Sequence, residues 1–136
     1  MALSQDAEAA LVRRPDAPDH FMRIKPVQKR VTVMIDGVIL AETASAKRVI
    51  EFGRDIYDPV LYIPRDDLQA EFKTLEKSTR CPLKGEASYH SAKLSDAQWA
   101  DEIAWSYDKS FDFASEIKGL VAFDSSRVTI TEAPLS

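Results

Sequence analysis

The chain has 136 residues, 45% of them hydrophobic and 29% charged, which is too much apolar surface for a disordered protein. Its net charge of −4 is spread along the sequence, which argues against a general binder of the nucleic-acid backbone, since that surface needs a basic stripe. A single cysteine, Cys81, excludes an internal disulfide, and no run approaches the roughly 20 apolar residues of a membrane span.

Residues 1–21 read as a loosely held N-terminal tail, because Pro15 and Pro18, with Pro26 beyond, interrupt any regular element. Leu3, Ala7, Ala10 and Leu11 would allow one short amphipathic helix within it. Asp6 and Glu8, with no apolar run, predict neither a secretory signal nor a transit peptide, so the expected location is cytoplasmic. From Arg30 the pattern alternates. Val31, Val33 and Ile35 share one face, Asp36-Gly37 follows, and Val38-Ile39-Leu40 resumes the apolar run. Asp-Gly between two such runs predicts a two-residue hairpin, because both central residues of a type I′ turn need positive φ.

Lys47–Phe52 predicts a strand with Val49 and Glu51 on one face, and Val60–Ile63 predicts another, closed by Pro64. Asp66 then reads as the N-cap of the principal helix. Gln69 sits three residues on, and Leu68, Phe72 and Leu75 give a buried stripe ending near Lys77-Ser78. Cys81–Gly85 is a turn by its Pro and Gly content, and Glu86–His90 and Glu102–Tyr107 alternate as strands. Short helical turns are expected at Ser95–Trp99 and at Phe111–Lys118, the second ended by Gly119. Leu120–Phe123 and Arg127–Thr131 read as a closing hairpin, and residues 133–136 as a C-terminal tail. The expectation is a single mostly-β (α+β) domain over residues 22–132, a curled antiparallel sheet or tent-like barrel of about eight short strands with one principal helix.

Four blocks carry a family resemblance: Tyr62-x-Pro64-Arg65-x-Asp67; Thr79-x-Cys81-Pro82-x-Lys84-Gly85-x-Ala87-x-Tyr89; Ala104-Trp105-x-Tyr107; and Gly119-Leu120-Val121-Ala122-Phe123. Together, over residues 24–131, they resemble the domain of unknown function family numbered 427, widespread in bacteria and in places labelled nucleotidyltransferase-type. The resemblance implies a compact β-rich fold similar to the tent-like sheets of the Mss-four-like group, and no established activity. Asp124 stands where the family usually has an aromatic, and Leu61 where a second tyrosine is common.

The residues themselves give nucleotidyl transfer little support. There is no Asp-x-Asp pair to hold Mg²⁺ and no Gly-rich phosphate loop, since the only glycines are Gly37, Gly53, Gly85 and Gly119. Cys81, His20 and His90 cannot make a four-ligand zinc site, so neither metal nor cofactor is expected. Cys81 and Lys84 are the candidate catalytic groups. Arg80 and Lys84 flank the thiol, and neighbouring cations favour thiolate; the competing reading is a buried cysteine in a Cys-Pro turn. Arg65, at the predicted helix entrance, and Lys84 could together hold an anion, unless Arg65 pairs with Glu51 or Asp67.

Tyr62, Tyr89, Trp105 and Tyr107 fall on predicted strands and could wall a pocket, against the competing reading of a plain β core. The expected function is a binding module for a small anionic or aromatic metabolite, using Glu51, Tyr62, Arg65, Lys84, Tyr89, Trp105 and Tyr107, with Glu51 orienting the cations. The alternatives are an enzyme working in the same pocket through Cys81 or Lys84, and a protein-interaction domain docking through an edge strand. No nucleic-acid or membrane partner is expected.

Overall fold

The computed structural model describes residues 2–136. Helix α1 (Gln5–Ala9), N-capped by Ser4, leads into β1 (Leu11–Arg14) and β2 (Ala17–Pro26). The hairpin β3 (Arg30–Ile35) and β4 (Val38–Thr43) follows, then β5 (Lys47–Phe52) and β6 (Val60–Tyr62). Three long strands come next: β7 (Phe72–Cys81), β8 (Gly85–Ser95) and β9 (Gln98–Ser110). The short strands β10 (Val121–Phe123) and β11 (Thr129–Ala133) end the fold. These form three antiparallel sheets, none closed into a barrel: β1-β2-β5-β6, β10-β9-β8-β7 and β11-β3-β4. The first two sheets touch where Ile63 and Val121 exchange backbone hydrogen bonds of 2.8 Å in each direction.

The Asp36-Gly37 hairpin forms as expected. Both residues have positive φ, 49° and 79°, and Ile35 pairs with Val38 across the turn. The strand Lys47–Phe52 and the Cys81–Gly85 turn also form where the sequence put them.

The expected principal helix does not form. Only Arg65–Asp67 makes a single 3₁₀ turn, and Phe72–Cys81 is strand β7. The apolar spacing of Leu68, Phe72 and Leu75 has a different cause. Leu68 bridges to Ala41 on β4, Phe72 packs edge-on against Phe123 with ring centroids 6.1 Å apart, and the register of β7 shifts between Thr74 and Ser78. As an edge strand exposed on most of its length, β7 has no regular alternation to read. The helical turn expected at Ser95–Trp99 is instead the tight β8–β9 turn, with Ser95 paired to Gln98.

Leu120–Phe123 and Arg127–Thr131 do not pair as a hairpin; β10 adds to β9 and β11 adds to β3. Among the described residues there are eleven strands, against about eight expected. Residues 11–21, read as part of a loose tail, lie largely in β1 and β2, and β2 pairs with β5 from Phe21 to Pro26. Of that expected tail, Met1 lies outside the described residues. Residues 134–136 carry no regular structure.

Two apolar clusters hold the sheets together. One joins Val31, Val33 and Leu40 of the third sheet to Ala92, Ile103 and Ala104 of the second. The other joins Met22, Ile24, Val49 and Tyr62 of the first sheet to Leu83, Ile117 and Ala122. No helix among the described residues is long and apolar enough to cross a membrane.

Candidate functional site

The first and second sheets diverge around the second apolar cluster and leave an open cleft of about 970 Å³. Register explains which side chains reach it. Cross-strand partners share a face and residues two apart repeat it. Tyr89 is paired with Trp105, and Tyr107 follows two positions along β9, so these three line one wall. On the opposite wall Glu51 is paired with Met22, and His20 lies two residues before Met22. Tyr62 on β6 closes the back and is 2% exposed. Tyr57, from the β5–β6 loop, completes the set, so all four tyrosines of the chain line this one cleft.

The charges are equally concentrated. Arg14, Arg54, Arg80 and Lys84 line the cleft, against Asp19 and Glu51, in a chain that is acidic as a whole. Lys84 is delivered by the tight turn between β7 and β8. Cys81 pairs with Gly85, Leu83 is fully buried, and the Lys84 carbonyl accepts the Phe111 N–H at 3.0 Å. Burying the Leu83 side chain stabilises the turn by about 2 kcal/mol. The Lys84 ammonium, 8% exposed, donates to Glu51 Oε1 and so ties the two sheets together across the cleft.

The other Glu51 oxygen lies 2.7 Å from His20 Nε2, and His20 Nδ1 lies 3.5 Å from Arg14 Nη1. A guanidinium can only donate, which makes Nδ1 the acceptor and leaves the ring proton on Nε2, facing Glu51. Arg14 in turn grips Asp16 through two hydrogen bonds of 3.2 and 2.8 Å. Gly53 gives the His20 ring its room, since a Cβ there would stand 3.1 Å from Cδ2. Burial pushes the Glu51 carboxyl up, but the hydrogen bonds from Lys84 and His20 together with the Lys84 charge outweigh burial and hold it below the ordinary carboxylate value. Burial pushes the hydroxyls of Tyr62 and Tyr107 well up, so both stay protonated donors at any physiological pH. The Tyr89 hydroxyl is already bonded to Thr79 Oγ1 at 2.6 Å.

Of the residues singled out from sequence, Glu51, Tyr62, Lys84, Tyr89, Trp105 and Tyr107 come together here, and so does Cys81. Arg65 does not. Its guanidinium holds strand β9 from the other side, donating to Ser106 Oγ at 2.8 Å, Asp108 Oδ1 at 2.7 Å and the Gly119 carbonyl at 3.0 Å. Ser106 and Asp108 alternate with Trp105 and Tyr107, so Arg65 braces the cleft wall from behind. His90 belongs to the same network, 2.7 Å from Ser106 Oγ, and burial with the Arg65 charge lowers its pKa.

His20, Arg14, Arg54 and Tyr57 were not singled out as site residues from the sequence, and Arg80 was singled out only as a cation beside the Cys81 thiol. The alternation of Met22 and Ile24 was the available signal for β2. It was masked by prolines that lie near the ends of that strand, where a missing N–H is tolerated.

The fold and cleft define a β-rich domain with a tyrosine- and arginine-lined cavity between two splayed sheets. Residues 23–133 match the model of the family described as Domain of unknown function (DUF427), and the chain belongs to that family. No curated protein matches the chain.

Proposed function

We propose that this protein binds a small anionic or aromatic metabolite in the cleft between its first two sheets. The observation that carries the reading is convergence: four tyrosines, Trp105 and four cationic side chains from seven separate strands and loops point into one cavity. Aromatic faces and a few placed polar groups are what small-molecule sites are made of. A plain core would bury these rings without collecting Arg14, Arg54, Arg80 and Lys84 beside them.

A second reading has one specific observation behind it. Cys81, partly buried, lines the same cleft, so the cleft also supports a thiol enzyme. Lys84 is less suited to reaction, because its ammonium is committed to Glu51.

Thermal denaturation of the purified chain against nucleotides, sugar phosphates and aromatic carboxylates tests both readings. A ligand at 100 times its dissociation constant adds about 2.7 kcal/mol to the folded state, a shift of several degrees for a domain of this size. The expected result is a shift with at least one class, retained in Cys81→Ser. A Cys81→Ser variant that keeps the shift but abolishes turnover of the same compound favours the enzyme. No shift with any class contradicts the binding reading.

A further inference from the structure

The cations of the cleft fall into two sets. Two are already paired: the buried Lys84 with Glu51, and the partly exposed Arg14 with Asp16. Arg54 and Arg80 enter no ion pair among the described residues. Both are exposed, and they come from opposite walls, Arg54 from the β5–β6 loop and Arg80 from the end of β7. Arg80 lies over the Phe111 ring at 5.1 Å, a contact with its planar face that leaves N–H donors for a ligand. The interior offers the opposite character. Tyr62 is buried, Trp105 and Tyr107 are half-buried, and all three pack against the apolar cluster. Their polar tips are phenol and indole donors, with no uncompensated charge beside them.

A charged group pushed to the floor would meet the compensated Lys84–Glu51 pair and lose its hydration for little return. The same group at the rim meets two free guanidiniums and keeps its water. We propose that the ligand enters head first, with an uncharged planar ring bearing hydrogen-bond acceptors among Tyr62, Trp105 and Tyr107, and its phosphate or carboxylate held at the rim between Arg54 and Arg80. This orientation rests on the reading of the cleft as a metabolite site and adds to it the chemical class of the metabolite.

Calorimetric titration of the full chain with two matched pairs tests it: adenosine against adenosine 5′-monophosphate, and nicotinamide against nicotinate. At low salt the anionic member of at least one pair binds about tenfold tighter than its neutral partner. Which pair shows the gap distinguishes a phosphate from a carboxylate. The gap closes in the Arg54→Gln/Arg80→Gln variant and persists in Lys29→Gln, an exposed cation outside the cleft. Tyr107→Phe weakens both members of the pair alike. Equal binding of charged and neutral members overturns the orientation while leaving the metabolite reading intact. A gap that survives in the double arginine variant does the same, and moves the anion to Lys84 or Arg14. Absence of binding by all four compounds overturns the orientation together with the reading on which it rests.

Discussion

Replacing Glu51 with alanine is expected to destabilise the fold by about 3–5 kcal/mol, because it leaves a buried ammonium without its counter-charge. Lys84 is 8% exposed and Glu51 18%, so water reaches the pair only from the cleft and replaces only part of the counter-charge. His20 loses its acceptor in the same step. The double variant Glu51→Leu/Lys84→Met should recover most of that loss, since an apolar pair of similar volume often replaces a buried ion pair at little cost. Urea unfolding of the wild type and both variants gives the comparison directly.

The pH dependence has a definite sign. The folded-state pKa of Glu51 lies below its ordinary value of 4.5, so the native state holds the ionised form more strongly than the unfolded chain does. The stability contributed is therefore complete above about 4.5 and is lost as pH falls through the folded value. The double variant should lack that part of the acid slope. A Glu51→Ala variant as stable as wild type would show that the pair does not join the sheets.

Gly85→Ala should be as severe, about 4 kcal/mol or more. The residue has φ of +121°, a conformation that a side chain strains, and a Cβ there would stand 2.5 Å from the Lys109 carbonyl oxygen and 2.8 Å from Ser110 Cα. Backbone cannot yield as a flexible side chain would, so β8 and β9 must separate at this end. The turn that delivers Lys84 begins at the same point, because Cys81 pairs with Gly85. Chemical denaturation should show the lost stability, and Lys84 should lose its placement even where the chain still folds. A fully stable Gly85→Ala variant would contradict the close approach.

The cleft was more legible in the sequence than the strands that build it. Strand β3 announced itself through alternating Val31, Val33 and Ile35, and Asp36-Gly37 fixed the turn chemistry between β3 and β4. Trp105 and Tyr107 were readable as one face because period-two spacing does not depend on which strand pairs with which, whereas Tyr89 joins them only through the pairing of β8 with β9. The failure at Phe72–Cys81 has a physical origin. An edge strand with a register shift carries little hydrophobic pattern, and three apolar residues at helical spacing filled the gap. Losing that helix removed the reason to place Arg65 in the pocket, and its guanidinium turned out to brace Ser106 and Asp108 instead. His20 and Arg14 were invisible for a different reason. The role of His20 arises from β2 pairing with β5, a contact 31 residues apart for His20 and Glu51 that no local pattern encodes, and Arg14 reaches the site through the pairing of β1 with β2.

The most direct test of the cleft as a ligand site is the emission of Trp105, read in a Trp99→Phe background so that a single indole reports. Trp105 lines the cleft beside Tyr62 and Tyr107, so a ring stacked among them must change its environment. Emission should change saturably on titration with a nucleotide, a sugar phosphate or an aromatic carboxylate, and Tyr107→Ala should abolish the change. An emission unchanged by every class would contradict the cleft as a ligand site, and would mark the convergence of tyrosines and arginines as packing alone.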